Sequence, residues 1–248
     1  MLKSRQRKPT ITRRILATNS LGFDYDIRFS QRKTTAIEIK RENVTVAAPH
    51  GSDPRHLQQW VNEKQQWIRD KLEQQGQRRQ EIPQPRFCDG ASWQYMGSPL
   101  TLRIRYRSRQ DSYIDNQQLW LSVSCSEERC TEQTLQRKLS DWYLSQAQEY
   151  MGPKTLRYAR QLNKSVSDIK FRRTKSKWGH CTSRGVIQYN WLIMMAPVAV
   201  IDYLIAHEVS HLVHHNHSAK FWNTVEKLDP AYRQHRQWLK DQGHKFLI

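Results

Sequence analysis

One short stretch constrains this chain more than any other, because it pairs two histidines with a glutamate. The stretch reads His207-Glu208-Val209-Ser210-His211. An α-helix turns once in about 3.6 residues, so His207 and His211 would lie on one helical face and could offer two imidazoles to one metal ion. Glu208 would project beside them, where a carboxylate can hold and deprotonate a metal-bound water. The pattern predicts a catalytic zinc site on a helix.

The sequence around this motif predicts a buried helix. Pro197 stands at a favoured helix-entry position. Apolar residues then recur at three-to-four spacing, at Val200, Ile201, Leu204, Ile205 and Leu212. The alternative is a pair of core histidines satisfied by hydrogen bonds. We favour the metal site, because burying two histidines beside a glutamate without a partner is unfavourable.

A third ligand is expected, because catalytic zinc sites usually combine three protein ligands with one water. His217 lies six residues beyond His211 and can turn back if the helix ends soon after the motif. Asn216 before a Ser218 cap is suitable chemistry for that turn. The competing ligands are His214, His215 and Glu226. For His214 and His215 we prefer the interpretation that they are exposed polar residues past the helix end.

Composition bounds the class of protein and its partners. The chain has 248 residues, with 41 Lys and Arg against 23 Asp and Glu, a net charge of +18. Such a charge predicts attraction to nucleic acid, nucleotides or acidic proteins, or simply a basic, soluble surface. The basic N-terminus has no apolar signal-peptide core, and no run approaches the roughly 20 apolar residues of a membrane span. The four cysteines form no CxxC pair, so we expect reduced thiols and a cytoplasmic protein that contacts no membrane. The oligomeric state is not predicted.

The order of predicted elements indicates an α+β fold. A basic lead-in over 1–20 precedes a β-rich N-terminal domain over 21–125, which carries one helix over 53–75, and a catalytic domain over 126–248. A polar, proline-containing stretch over 74–85 is expected to be a linker. Strands are predicted by alternation or by β-branched composition over 23–29, 35–40, 43–48, 92–95, 100–106, 112–114, 119–123, 167–173 and 186–189. Further helices are predicted from Thr131, Ser218 and Asp229.

A longer constellation resembles a known family. Its residues are Trp178-Gly179-His180-Cys181, Ser183, Gly185, Tyr189-Asn190-Trp191-Leu192, Pro197, the HExxH motif, His217-Ser218 and Phe221-Trp222. This order resembles the YgjP-like family of predicted metal-dependent hydrolases, which is related to the SprT-like and WLM metalloproteases. The resemblance spans nearly the whole chain and implies a zincin-like catalytic domain, one Zn²⁺ ion and His217 as the third ligand. His180 replaces a serine that is usual in the family, so it could alter substrate contacts or approach the metal.

Other side chains are expected on the substrate side of the site. They are Trp178, His180, Asn190, Arg172, Arg173, Lys175, Lys177 and Tyr232. The basic cluster over 172–177 is equally compatible with a solvated edge and with an anion-binding rim. Trp178 and Trp191 suit a core or cleft wall better than a recognition role. No oxyanion stabiliser is identifiable, and the candidates are Tyr232, His235 and His180.

These features predict a zinc-dependent hydrolase that acts on peptides or proteins. In this hypothesis it is a metallopeptidase in which Glu208 is the general base for metal-bound water. The first alternative is a metal-dependent phosphohydrolase (pyrophosphatase) that acts on a nucleoside triphosphate or another phosphoanhydride. The second is a DNA-associated protease or nucleic-acid-binding zinc protein, which only the charge supports.

Overall fold

The fold is α+β, as the sequence predicts. It is seen in a computed structural model, which describes residues 11–15, 21–40, 42–82 and 84–246. These residues form six α-helices and three small sheets. No helix among them is both long and apolar enough to cross a membrane.

The chain divides into two compact units, Met1–Glu81 and Ile82–Ile248. The sequence predicts a boundary at 125/126, whereas the structure places the hairpins of residues 92–122 in the second unit. Their apolar side chains, such as Leu102 and Leu121, belong to the same hydrophobic core as the helices that follow. Strand alternation identifies the hairpins themselves, but it does not indicate which core their buried faces join.

The first unit is a four-stranded sheet with two helices. Its elements are β1 (Ile11–Ile15), β2 (Tyr25–Ser30), β3 (Ala36–Lys40), β4 (Asn43–Pro49), α1 (Pro54–Glu63) and α2 (Gln65–Gln80). The sheet order is β1-β2-β4-β3, with β2 and β4 parallel. Alternate residues of β2 are buried, and they pack with Val46, Val61 and Ile68 in a separate core. Asp53 caps α1 by accepting a hydrogen bond from the Arg55 backbone N–H at 2.9 Å.

Two segments of the first unit have more regular secondary structure than the sequence predicts. The basic lead-in contains β1, which pairs antiparallel with β2; the rest of residues 1–20 lies outside the described residues. The first half of the predicted linker is helical, because α2 continues to Gln80. Gln, Arg and Glu are good helix formers, so a polar stretch can extend an exposed helix.

The second unit begins with the other four-stranded sheet. Its strands are β5 (Ser92–Tyr95), β6 (Ser98–Arg105), β7 (Tyr113–Asp115) and β8 (Gln118–Ser122), in the order β5-β6-β8-β7. A long helix, α3 (Glu132–Gln161), follows and is capped by Thr131. Buried residues of α3, among them Leu139 and Tyr143, join the core of this sheet.

The remaining elements build the region around the histidine motif. They are β9 (Asp168–Arg172), β10 (Gly179–Cys181), β11 (Val186–Asn190), α4 (Val198–Ser210), α5 (Ala219–Leu228) and α6 (Tyr232–Gln242). The sheet order is β10-β11-β9, so β10 lies at an edge. Helix α4 contacts α3, α5, α6 and β10, and nine of its thirteen residues are buried. The motif therefore lies on the central helix of this unit.

Candidate metal centre

Three imidazoles converge at the end of α4. His207 lies in the last turn of the helix, His211 is its C-terminal cap, and His217 precedes α5. One ring nitrogen from each lies within 4.8 Å of the others, and the Nε2 atoms of His207 and His217 are 3.1 Å apart. A tetrahedral zinc ion with bonds of about 2.0–2.1 Å separates its nitrogen ligands by roughly 3.3 Å. The distance between the His207 and His217 nitrogens is close to this spacing, and the His211 nitrogen lies within 4.8 Å of both.

The chain between the motif and α5 returns His217 to the helix. Helix α4 ends at Ser210, and His211 keeps helical dihedral angles of −67° and −17°. The Asn216 side chain then accepts a hydrogen bond from the Ser218 backbone N–H at 3.3 Å. This local turn is the one that the sequence suggests, although the Ser218 side chain makes no capping hydrogen bond.

Hydrogen bonds at Nδ1 orient two of the rings. The His211 Nδ1–H donates to the backbone carbonyl of His214 at 3.0 Å, and His207 Nδ1 lies 3.5 Å from the Tyr203 hydroxyl. A carbonyl oxygen can only accept, so the His214 contact fixes the His211 tautomer that leaves Nε2 free for a metal. The Tyr203 hydroxyl orients the His207 ring without selecting a tautomer, because it can donate or accept. Sequence reasoning missed Tyr203, but its position four residues before His207 places both side chains on one helical face.

Two aromatic side chains of α5 hold the three rings. The Phe221 ring is fully buried and lies 5.0, 4.5 and 4.8 Å from the rings of His207, His211 and His217. The Trp222 ring stacks on His217 at 5.6 Å and 23° and lies 5.7 Å from His207. An apolar wall of this kind restricts ring motion and limits water access.

Glu208 lies beside the histidines in a buried position. Its side chain is 3% exposed, and its Oε2 atom has no hydrogen-bond partner among the described residues. Burial raises the pKa of Glu208 to about 8, and the positive charge of Lys177 opposes that rise. Strand β10 passes so close that a Cβ atom added to Gly179 would lie 2.6 Å from Glu208 Oε1. Only glycine provides this space.

The donor set is suited to a metal cation. Burial lowers the pKa of His207 to about 3, with smaller contributions from the charges of His211, His217 and Arg236. Burial also lowers the pKa of His211. Neutral imidazole is the form that binds metal, and a bound cation would stabilise the buried Glu208 carboxylate. Three converging imidazoles, two of them with lowered pKa values, therefore fit a divalent ion, and Glu208 in the same helix has an unpaired buried carboxyl oxygen.

The competing ligands lie elsewhere. Among the described residues, the group that could hold a metal contains His207, His211 and His217, without His214 or His215. Glu226 pairs with Arg233 at 3.2 Å. His180 is also outside the group.

The predicted substrate residues are only partly brought together. A small pocket of about 240 Å³ is lined by four of them: Lys177, Trp178, His180 and Asn190. Thr174, Ser176, Gly179 and Gln188 complete its lining. Asn190 uses both ends of its amide within the chain, since it donates to the Thr174 carbonyl and accepts from the Leu192 backbone N–H. The remaining basic side chains, Arg172, Arg173 and Lys175, are exposed and do not line the pocket.

The two other candidates for an oxyanion stabiliser lie on α6. Tyr232 is buried and stacks on Trp222 at 5.2 Å and 14°. His235 pairs with Asp229 through an Nδ1–Oδ2 distance of 2.8 Å. The Trp222 ring, which contacts both Tyr232 and His217, therefore connects Tyr232 to the histidines. The Nδ1 atom of His235 is occupied by the Asp229 carboxylate.

Converging histidines beside a buried glutamate are typical of a metal-dependent hydrolase. The sequence profile of the YgjP-like, metallopeptidase domain family matches residues 33–242. The chain therefore belongs to this family of metallopeptidase domains, and the resemblance noted in the sequence is confirmed. The family implies a divalent metal, usually zinc.

A solved structure resembles part of the chain. It is the crystal structure of the metallopeptidase zymogen abylysin from Pyrococcus abyssi, with 17% identity and a TM-score of 0.36; the match covers 40% of this chain and 99% of that chain. No curated protein matches this sequence.

Proposed function

We propose that this protein is a zinc-dependent metallopeptidase in which His207, His211 and His217 hold the metal and Glu208 is the general base. The observation that carries the proposal is the convergence of three imidazole nitrogens at the end of the helix in which Glu208 has a buried carboxyl oxygen without a partner. Membership of a metallopeptidase family supports the same reaction. The alternative of two satisfied core histidines does not explain why Glu208 is buried with Oε2 unpaired.

The residues of the chain then have distinct tasks. A zinc ion held there would polarise the scissile carbonyl and lower the pKa of an attacking water to about 7. Glu208 Oε2 accepts the proton of that water and returns it to the leaving amine nitrogen. The His214 carbonyl keeps His211 in the ligand tautomer, Tyr203 orients the His207 ring, and Phe221 limits water behind them.

The edge of the small sheet suits an extended peptide. Strand β10 is hydrogen-bonded to β11, and no described strand pairs with its other side. Backbone groups at such an edge can pair with a substrate added as a further strand. Because Gly179 of β10 approaches Glu208, a peptide on this edge would present its carbonyls near the general base.

The alternatives from the sequence stay predictions. Phosphoanhydride hydrolysis and nucleic-acid association depend on the net charge and on the basic cluster over 172–177. Most of that cluster is exposed and lies outside the pocket beside β10. The cytoplasmic location and zinc as the bound metal likewise stay predictions.

The first experiment separates metal binding from proton transfer. Glu208→Gln should keep stoichiometric metal but lose about 10²–10⁴-fold in kcat, because an amide cannot accept the proton. His217→Ala should lose most of the metal, measured by elemental analysis after dialysis. His215→Ala is the matched control, since this exposed histidine lies outside the ligand group, and it should keep both metal and turnover.

The substrates should be tested in parallel. Zinc-loaded protein is incubated with an unstructured protein and, separately, with nucleoside triphosphates, and peptide cleavage or phosphate release is measured. Unchanged turnover in Glu208→Gln would show that Glu208 is not the general base. Metal loss in His215→Ala but not in His217→Ala would replace the proposed third ligand.

A further inference from the structure

Arg236 occupies an unusual position on α6. It follows the buried Tyr232 by four residues and precedes the buried Leu239 by three, so it lies on the core-facing side of the helix. Its side chain is nevertheless exposed. The guanidinium carbon lies 4.6 Å from the centre of the Trp222 ring. A cation is thus held by an aromatic ring on an inward helical face.

That ring connects Arg236 to the metal centre. Trp222 stacks on His217 at 5.6 Å and lies 5.7 Å from His207. Two successive ring contacts therefore separate the guanidinium from two of the proposed metal ligands.

The nearby carboxylates are engaged elsewhere. Asp229 pairs with His235 at 2.8 Å, and Glu226 pairs with Arg233 at 3.2 Å. Among the described residues, none forms an ion pair with Arg236; its assigned partner is the Trp222 ring. Stacking leaves the edge of a guanidinium available, and that edge presents paired N–H donors that match a carboxylate.

We propose that Arg236 is a specificity-determining residue that binds the carboxylate of an Asp or Glu side chain next to the scissile bond of a peptide substrate. This inference rests on the proposed peptidase function and adds the substrate class to it. Trp222 fixes the guanidinium in place, so part of the ordering entropy of the arginine is already lost before the substrate binds.

The test compares matched peptides. Zinc-loaded full-length protein is incubated with a mixture of peptides from denatured proteins, and cleavage sites are read by mass spectrometry. A synthetic peptide with Glu at the enriched position is then compared with its Gln counterpart. The kcat/KM ratio of the Glu to the Gln peptide should be about fivefold in the wild type, the upper range for a solvent-exposed ion pair, and should decrease as salt is added.

Variants of α6 assign the effect to one residue. Arg236→Gln should bring the ratio close to one, Arg236→Lys should keep part of it, and Arg236→Glu should shift preference to a Lys-containing peptide. Lys240→Gln removes one exposed charge from the same helix and should leave the ratio unchanged. Circular dichroism and metal content confirm that each variant is folded and loaded.

Two outcomes overturn the inference in distinguishable ways. Peptide cleavage with equal Glu and Gln rates, or a ratio that survives Arg236→Gln, refutes the role of Arg236 and leaves the peptidase function intact. Absence of any peptide cleavage, with or without hydrolysis of nucleoside triphosphates, refutes both.

Discussion

Gly179→Ala should impair catalysis while leaving the metal site and the fold in place. A Cβ atom at this position would lie 2.6 Å from Glu208 Oε1 and 2.7 Å from both Cδ and Cγ. Comfortable contacts between such atoms are about 3.5–4.0 Å, so the shortfall is close to 1 Å. Because three successive atoms of the side chain collide, rotation of the carboxylate alone does not relieve the clash.

The magnitude follows from that displacement. Glu208 is the flexible partner, so we expect its carboxylate to move by about 1 Å, which can reduce turnover by about 100-fold. The stability loss should be that of a modestly overpacked site, about 1–3 kcal/mol. His207, His211 and His217 keep their positions, so zinc affinity should change little.

The assay combines kcat/KM on a cleaved peptide with metal analysis and thermal unfolding. Gly76→Ala is the matched control, because nothing lies within 4 Å of its added Cβ. That substitution lies inside α2, where it should stabilise the helix by up to about 1 kcal/mol and leave turnover unchanged. Wild-type kcat/KM in Gly179→Ala would show that the close approach of Gly179 does not position Glu208. Loss of bound zinc in this variant would show that the substitution also disturbs the histidines.

Three further predictions concern other parts of the second unit. Burial raises the pKa of the Cys181 thiol to about 11, with the Glu208 charge adding to the rise, so at pH 8 only about one Cys181 thiol in a thousand is ionised. An alkylating reagent should therefore modify the exposed Cys88 before Cys181. Equal modification rates for the two cysteines, measured by peptide mass spectrometry, would contradict this. Asp202 accepts hydrogen bonds from Lys154 and Tyr150, so Asp202→Asn should reduce the free energy of unfolding by about 1–3 kcal/mol, measured by denaturant titration. A change near zero would show that this ion pair does not stabilise the fold. Chelation of the metal should abolish turnover but leave the far-ultraviolet circular dichroism unchanged, because the three histidine rings are already held by Phe221 and Trp222; unfolding of the apo protein would disprove that expectation.

The parts of the site that depend on local spacing could be predicted from the sequence. His207 and His211 share a helical face because they are four residues apart, and the apolar spacing before them indicates that the helix is buried. The turn chemistry at Asn216 makes His217 the best third partner, and the structure brings the three side chains together. Their role as metal ligands stays a prediction, which the metal analysis of His217→Ala tests.

The parts that depend on tertiary contacts could not be predicted in this way. Gly179 and Glu208 are separated by 29 positions in the sequence, and nothing in a Trp-Gly pair indicates that its glycine makes room for a carboxylate. The same holds for Arg236, whose partner Trp222 lies on another helix. Tyr203 is different, because its spacing from His207 is a usable signal.

The domain boundary shows the same limit on a larger scale. Alternation predicts the hairpins of residues 92–122 from their own sequence, but the choice of core depends on which surfaces are available to cover them. Their buried residues pack with α3 and α4 in one core. A division after Glu81 therefore follows from packing, whereas the order of predicted elements favours a division where the strands end and the long helix begins.

Two individual positive charges affect the candidate site more specifically than the net charge of the chain does. A net charge of +18 predicts attraction to any polyanion, yet most of the basic cluster over 172–177 is exposed and lies outside the pocket beside β10. Two cations do act on the centre: Lys177, whose charge opposes the rise in the pKa of Glu208, and Arg236, whose charge helps to lower the pKa of His207. They come from different elements and affect different groups of the site. Selectivity for an anionic substrate group would therefore depend on where these two charges are held, and removing other surface charges should weaken long-range attraction without changing which peptide bond is cleaved.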